Sequence, residues 1–278
     1  MKQGAIWVRP FYYLVVFTVA TISLYPVLLM ILSSFKKSVD IYKNPLGLPT
    51  SFSLDTYRTL LSKIPFTTYF LNSLFVSIVS VVLIVVVCSL ASFYIARFKF
   101  SWNHALFFIF LLGMMIPIKL GGIVPLFILM RDLGLINSLW SLILMNTATG
   151  IPLSMLILTG FFKTMPYELE EAARIDGAGN LRVLWHVMLP LMRPALGTVV
   201  IINFIAAWND FFFPLIFITE KMKRTIPVGM MSLFGGEHSA DWGSLFAGLT
   251  LASLPMILLF LIASKQFMEG GLTAGAIK

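Results

Sequence analysis

Residues 166–194, PYELEEAARIDGAGNLRVLWHVMLPLMRP, are the one long stretch that combines dense charge with helical periodicity between strongly apolar segments. A first helix is predicted over about 166–176, because several glutamates lie near the positive end of the helix dipole and Gly177 can end it. Glu170 and Arg174 have the spacing of an i,i+4 ion pair. Residues spaced three and four apart form a shallow small-residue face, namely Leu169, Ala172 and Ala173.

A second helix is predicted after Gly179, with Asn180 as its N-cap and an end at Pro190. Its apolar stripe consists of Leu181, Leu184, Trp185 and Met188. Together the two helices fit an amphipathic hairpin that rests on the same protein or on a membrane surface. A helix-turn-helix for DNA is also conceivable, because the turn is short and contains glycine. The apolar segments on both sides argue against DNA.

Composition places the chain in a membrane. Hydrophobic residues make up 59% and charged residues 12% of the 278 positions, against roughly 45–50% and 25% in soluble domains. The formal charge of +8 fits contact with membrane lipid, because the basic residues are scattered among loops. Cys88 is the only cysteine, so no intramolecular disulfide can form. The sequence therefore predicts an all-α integral membrane protein that binds no nucleic acid.

Motifs for catalysis, metal binding and nucleotide binding are missing from the sequence. His104, His186 and His238 lie in separate segments, without H-E-x-x-H or C-x-x-C pairing. No G-x-x-x-x-G-K-[ST] phosphate loop occurs, and no convergent nucleophile and base can be placed. We therefore expect a chain that is not an enzyme and holds neither a metal nor another cofactor of its own.

Six apolar segments have about the length needed to cross a hydrocarbon core. They are residues 10–32, 69–96, 105–130, 139–162, 195–217 and 245–263. Residues 33–65 predict an extended loop followed by a short surface helix around Leu54–Leu61. Breakers from Pro117 to Pro125 predict either an unwound stretch or a simple kink in the third span, where Lys119 also lies. Gly150–Pro152 predicts an interruption in the fourth.

The fifth span carries Trp208, Asn209 and Asp210 toward its end. An acid inside a span is usually either functional or hydrated at the membrane interface, and both interpretations remain open. We treat the three residues as candidates for lining a transport pathway. An even number of spans puts both chain ends on one side. The positive-inside rule does not identify that side, because the basic residues divide equally between the two.

One group of residues matches the EAA signature of permease subunits in bacterial ABC importers. It consists of Glu171, Ala172, Ala173, Asp176, Gly177, Ala178, Leu189 and Pro190. The surrounding sequence, with WNDFFFPL in the fifth span and GLTAGAIK at the end, resembles the carbohydrate branch of these permeases and, within it, the maltose type. The resemblance covers nearly the whole chain. It implies a type I importer fold of six transmembrane helices in the bacterial cytoplasmic membrane, with both termini cytoplasmic.

The resemblance also implies an organisation and a set of partners. Residues 1–67 would form the first transmembrane helix and an external loop, 68–265 the transmembrane core containing the EAA loop 166–194, and 266–278 a cytoplasmic tail. In such importers the EAA loop sits in a cleft of a separate ATPase, which holds ATP and Mg. The implied partners are a second permease subunit, two ATPase subunits, an extracytoplasmic solute-binding protein and the carbohydrate.

Residue roles follow from the same resemblance. Docking on the ATPase is implied for Glu171, Ala172, Ala173, Asp176 and Gly177. A loop that faces the binding protein is implied at Phe234, Gly235, Gly236 and Glu237. Tail contacts with the ATPase are implied at Gly271 and Gly275. Within the docking set, we expect Glu171 to make the ionic contact and Gly177 to make the bend.

A secondary transporter driven by an ion gradient is the competing class of protein. It predicts paired broken helices with membrane-embedded acids and internal repeats. Asp210 is the only acid inside a predicted span, which disfavours this class. The sequence does not identify the transported sugar.

Overall fold

The computed structural model describes residues 5–49, 52–116, 118–234 and 240–275. Over these ranges the chain consists of helices and loops, without a strand. It divides into two compact units: one comprises Met1–Phe66 and Met230–Leu254, and the other Thr67–Gly229 and Pro255–Lys278. The EAA-like loop and the fifth predicted span both belong to the second unit.

The chain begins with three helices. Helix α1 (Ala5–Ser33) contains an apolar stretch, Tyr12–Ser33, that is long enough to cross a membrane. The following loop was predicted to be extended, but it contains the short helix α2 (Ser38–Lys43). Helix α3 (Asp55–Lys63) is the surface helix predicted around residues 54–61.

Helix α4 (Phe66–Arg97) is continuous over 32 residues, because its sequence holds no proline, no glycine and no charge before Arg97. The third predicted span is broken, as expected. It consists of α5 (Asn103–Leu112), a 3-10 turn (Gly113–Met115), a π-helical turn (Ile118–Gly122) and α6 (Ile123–Asp132). These turns favour an unwound stretch over a simple kink. Pro117 and the side chain of Lys119 lie outside the described part of the chain.

Helix α7 (Leu139–Thr164) runs without a break, so the interruption predicted at Gly150–Pro152 is wrong. The proline serves close packing: a Cβ on Gly113 would lie 2.9 Å from Pro152 Cγ. In the same turn the Ser154 hydroxyl donates to the Gly150 carbonyl at 2.7 Å. Pro152 removes only the N–H that would donate to the Ala148 carbonyl, so the helix, packed against its neighbours, continues through it.

Residues 166–194, the EAA-like loop, form three short helices, α8 (Glu168–Ile175), α9 (Asn180–Val183) and α10 (Leu189–Leu191). A π-helical turn, Leu184–Met188, connects the last two. Helix α11 (Arg193–Trp208) then departs at 82° from the segment Asn180–Leu191. Helix α12 (Phe212–Phe217) follows after a gap of three residues. The fifth predicted span is therefore not one helix, because the chain leaves the helical conformation at residues 209–211.

Two more helices, α13 (Ile226–Met230) and α14 (Trp242–Gly275), complete the described chain. Within the described ranges, four helical stretches are long and apolar enough to cross a membrane unaided, namely Tyr12–Ser33, Phe66–Arg97, Leu139–Thr164 and Trp242–Ile262. The remaining two predicted spans are assembled from shorter helices. The prediction of an all-α membrane protein is confirmed. The segment expected as a separate tail from residue 266 continues α14 as far as Gly275.

Two apolar cores lie among the described residues of the second unit. The first joins α4, α7 and the residues after α8, and includes Cys88, Phe93, Met155, Phe162, Leu184 and Met188. The second joins α4, α6, α7 and α12, and includes Val76, Met130, Leu142, Phe213 and Phe217. The first core fixes the EAA-like loop against two long helices, and the second fixes α12.

Candidate functional site

Helix α8 ends in a glycine turn. Gly177 has a φ of 80°, in the left-handed region that costs other residues about 1–2 kcal/mol. Its N–H donates to the Arg174 carbonyl at 3.0 Å, and the Ala178 N–H donates to the Ala173 carbonyl at 2.9 Å. These two bonds form a Schellman motif. The stop expected at Gly177 is therefore present, whereas Pro166 lies outside the helix that it was expected to begin.

The apolar residues that α8 turns to solvent are not the three expected from spacing. Leu169 is 39% exposed, Ile175 is 85% exposed, and Ala172 is exposed between them. We call these three residues the outer face of α8. Ala173 is half-buried and packs against the first core, which contains Leu184. Ile175 was missed, although it lies three residues beyond Ala172.

The polar members of the EAA-like set lie beside this outer face. Glu171, Asp176 and Gly177 are all exposed. The Glu171 carboxylate is therefore accessible to a basic group from outside the chain. An exposed apolar ridge next to an accessible acid can dock into an apolar groove that has a basic rim.

The predicted apolar stripe of the second helix is split between two environments. Leu184 and Met188 are fully buried, whereas Leu181 is 56% and Trp185 is 47% exposed. The buried side of this segment is centred elsewhere, because Val183 is fully buried beside Leu184. Asn180 is the first residue of α9 rather than its N-cap.

Glu170 has a different ion-pair partner from the one expected. Its Oε1 lies 2.5 Å from Arg97 Nε at the end of α4, and the two side chains are 5% and 1% exposed. Arg174, the expected partner, instead lies with its guanidinium 5.8 Å from the centre of the Phe98 ring. Burial raises the pKa of Glu170, and the positive charges of Arg97 and Arg174 oppose that rise. Glu170 faces inward and Glu171 outward.

A cavity of about 240 Å³ lies among α7, α11 and α12. Its lining combines four polar residues with apolar ones, and consists of Asn146, Thr149, Gly150, Leu153, Ile202, Asn203, Ala206, Asp210 and Phe213. Asn203 is held in place because its Nδ2 donates to Ser154 Oγ at 2.9 Å and to the Val199 carbonyl at 2.8 Å. Polar side chains that converge on a cavity inside an apolar helix bundle mark a binding or transport site.

Only one of the three predicted pathway residues lines this cavity. Asp210 does so and is 6% exposed, which places it within the protein rather than at an exposed surface. Trp208 stacks on Phe204 with ring centres 5.7 Å apart, and Asn209 is exposed. Sequence reasoning missed the other three polar lining residues, Asn146, Thr149 and Asn203. The signal was available for the first two, which are polar and one helical turn apart in an apolar span.

The loop expected to face a binding protein is described only at its edges. Phe234 is 52% exposed and packs edge-to-face on Trp242, with ring centres 5.9 Å apart. Gly235, Gly236 and Glu237 lie outside the described residues. The expected tail residues Gly271 and Gly275 belong to the last turns of α14. No group of three His, Cys, Asp or Glu that could hold a metal occurs in the described ranges.

Asp241, in the first unit, immediately precedes α14 and links its start to two neighbouring elements. Its carboxylate accepts from Lys63 on α3, from Ser38 Oγ at 2.9 Å and from Ser244 Oγ at 2.8 Å. Burial raises the pKa of Asp241, but the hydrogen bonds from Lys63, Ser244 and Ser38 outweigh burial and lower it to about 2. The ionised carboxylate is thus the form that the fold stabilises.

Residues 88–267 match the model of a protein family described as the binding-protein-dependent transport system inner membrane component. The chain belongs to this family. The permease is 34% identical to the probable ABC transporter permease protein YurM of Bacillus subtilis, over 99% of this chain and 89% of that protein. It is 35% identical to the trehalose/maltose transport system permease protein MalG of Thermococcus litoralis, over 93% of each.

Solved structures agree on the fold. The permease superposes with a TM-score of 0.83 on a chain of a bacterial ABC transporter involved in the import of the polysaccharide alginate, covering 96% of this chain and 99% of that one at 21% identity. The expected ABC importer permease fold is therefore confirmed, and a secondary transporter is not favoured. The permease is a multi-pass inner-membrane protein that works with other transporter components.

Proposed function

We propose that this permease carries a carbohydrate across the bacterial cytoplasmic membrane and is driven by separate ATPase subunits that dock on residues 166–194. The observation that supports docking most directly is the exposed outer face of α8 beside the accessible Glu171 carboxylate. Relatives named for trehalose/maltose, for melibiose/raffinose/stachyose and for diacetylchitobiose support a carbohydrate. Both termini are then cytoplasmic, because the docking loop must face the ATPase.

The docking contact would combine apolar burial with one ion pair. Ile175, at 85% exposure, has most of its surface to bury in a partner groove, and full burial of such a side chain contributes about 1.5–3 kcal/mol. Glu171 would pair with a basic group on the ATPase, and Gly177 would let the chain turn away from the groove. ATP and Mg would be held by the ATPase, in keeping with the missing phosphate loop in this sequence.

Charge reversal on α8 tests this docking proposal. We expect Glu171→Lys to abolish both co-purification of the ATPase and ATP-dependent sugar uptake, because it places like charges at the contact. Glu168→Lys, on the same exposed helix, is the matched control and should retain both. Gly177→Pro should also abolish ATPase co-purification and sugar uptake, because proline cannot adopt the positive φ of this turn. Normal assembly and uptake by Glu171→Lys would rule out the docking assignment.

The carbohydrate would pass the cavity among α7, α11 and α12. Asn146, Thr149, Asn203 and Asp210 offer the hydrogen-bonding groups that sugar hydroxyls require, and Phe213 offers an apolar surface. We expect Asn146→Ala and Asp210→Asn to reduce uptake about tenfold or more while the ATPase stays bound. Thr198→Ala is the control on α11, because this hydroxyl donates to the Pro194 carbonyl of its own helix. Unchanged uptake in both cavity variants would exclude this route.

The remaining partner contacts are proposed from the family. A second permease subunit would complete the membrane channel. Phe234 and the neighbouring Gly235, Gly236 and Glu237 would face a solute-binding protein. Gly271 and Gly275 would contact the ATPase. Deletion of residues 271–278 should then lower the ATPase activity that sugar-loaded binding protein stimulates, and an unaffected deletion variant would remove the tail from the contact.

A further inference from the structure

We propose that Arg97 is the positioning residue that fixes the docking helix α8 to the end of α4, so that the two helices move together during transport. The proposal rests on the docking function proposed above for α8. It adds a second, inward-facing role for the same loop: Glu171 would receive the ATPase, and Glu170 would pass its movement to a membrane-spanning helix.

Arg97 contacts the first turn of α8 and the residues directly before that helix. Its Nε lies 2.5 Å from Glu170 Oε1. Its Nη2 donates to the Met165 carbonyl at 2.9 Å. Its guanidinium carbon lies 4.4 Å from the centre of the Tyr167 ring, within the range of a cation–π contact. One side chain therefore holds the chain before α8, the residue that precedes the helix and the first turn of the helix.

The C-terminal end of α8 also contacts the chain at the end of α4. The Arg174 guanidinium lies 5.8 Å from the Phe98 ring centre, and that ring stacks on Tyr94 at 4.9 Å. Phe98 itself is fixed, because Asn103 Nδ2 donates to the Phe98 carbonyl at 3.0 Å and to the Ile95 carbonyl at 2.8 Å. Both ends of helix α8 therefore contact residues at the end of α4 or directly after it.

The ion pair is poorly suited to stability alone. Arg97 Nε and Glu170 Oε1 are close but not aligned as a hydrogen bond, and Arg97 Nη1 has no acceptor within the described residues. A buried pair with unsatisfied atoms does not fully recover the hydration that it loses, and apolar residues of similar volume are often as stable. What such a pair adds is a defined position and orientation.

Helix α4 connects this pair to the cavity. Ile84 on α4 is buried in the first core, and its Cδ1 lies 2.5 Å from the position that a Cβ on Gly150 would take. Gly150 lines the cavity. Movement of α8 would therefore reach the cavity wall through Arg97 and α4, a contiguous path of packed groups of the kind that carries coupling between sites.

The test uses the complete transporter in liposomes and three readouts: ATPase retention, thermal stability and sugar imported per ATP hydrolysed. We expect Arg97→Gln and Glu170→Gln to keep the ATPase bound but to lower the sugar-to-ATP ratio at least tenfold. Lys99→Gln removes a positive charge from an exposed side chain just beyond α4 and outside the docking residues, so it should leave all three readouts unchanged. Single variants can also lose stability, because each leaves one buried charge unpaired.

The apolar double variant Arg97→Met with Glu170→Leu separates positioning from stability. It leaves no unpaired charge, so we expect the thermal stability of the complex to return while the sugar-to-ATP ratio stays at least tenfold low. If the ratio returns together with stability, Arg97 is only structural and the proposal is overturned. If Glu171→Lys still binds the ATPase, the docking function fails. If Glu171→Lys releases the ATPase and the double variant couples normally, docking stands and this inference alone fails.

Discussion

Gly150 gives the sharpest expectation about packing beside the cavity. A Cβ at this position would lie within 3.0 Å of both Asn203 Oδ1 and Ile84 Cδ1, closer than Cβ atoms approach other atoms. Neither neighbour can move easily, because Asn203 is held by two hydrogen bonds and Ile84 is 1% exposed. Gly150→Ala therefore has to displace one of them.

Three contributions determine how much Gly150→Ala changes the free energy of unfolding. Overpacking costs about 1–3 kcal/mol, and loss of the Asn203–Ser154 hydrogen bond adds about 1 kcal/mol. Alanine in place of a helical glycine returns up to about 1 kcal/mol. We therefore expect Gly150→Ala to lower the free energy of unfolding by about 1–3 kcal/mol. Displacement of Asn203 into the cavity should also reduce sugar uptake.

A second glycine on α7 provides the matched control. A Cβ on Gly160 would meet nothing within 4 Å, so Gly160→Ala should raise stability by about 0.5–1 kcal/mol through helix propensity alone. The assay is denaturant unfolding of the purified permease in detergent, followed by uptake in liposomes. Equal unfolding midpoints for the two variants would refute the packing argument, since both make the same chemical change in the same helix.

Further outcomes are expected at three other positions. Gly177→Ala should cost about 1–2 kcal/mol through its positive φ and weaken ATPase retention, whereas Gly179→Ala, at a φ of −72°, should not. Gly229→Ala should lower the unfolding midpoint by overpacking, because its Cβ would overlap an aromatic ring on α4. The pKa of Asp241 falls from 3.8 to about 2 on folding, so the ionised carboxylate stabilises the folded state. Its contribution to the free energy of unfolding should be complete above pH 4 and lost as pH drops toward 2. We estimate about 1 kcal/mol after solvent screening of the half-exposed Lys63, measurable as an acid shift in unfolding that Asp241→Asn removes.

Local signals in the sequence were enough to predict the long helices and the end of α8. The uninterrupted apolar run of α4 and the turn at Gly177 follow from composition and from glycine's freedom at positive φ. The same rules failed at Gly150–Pro152, where glycine and proline bring neighbours close without ending the helix. A breaker residue does not by itself show whether it breaks a helix or admits a neighbour.

Two features depended on information that local spacing does not contain. The inward side of residues 181–188 is set by contact with the first core, which buries Val183, Leu184 and Met188 and leaves Trp185 exposed. The ion-pair partner of Glu170 is Arg97, which lies 73 positions earlier in the chain. Only the packing of α4 against the loop brings these two residues together, so the i,i+4 rule selected Arg174 instead.

The exposure of Ile175 also bears on the life of the subunit before assembly. A permease without its ATPase presents an isoleucine that is 85% exposed on a helix outside the membrane-spanning stretches. Together with Leu169 and Ala172 it forms an exposed apolar patch, and such patches favour aggregation until a partner covers them. If the ATPase covers Ile175, the residue that strengthens docking also makes unassembled copies prone to aggregate. Substitution by a polar residue would then lower the aggregation of the unassembled permease while weakening the finished complex.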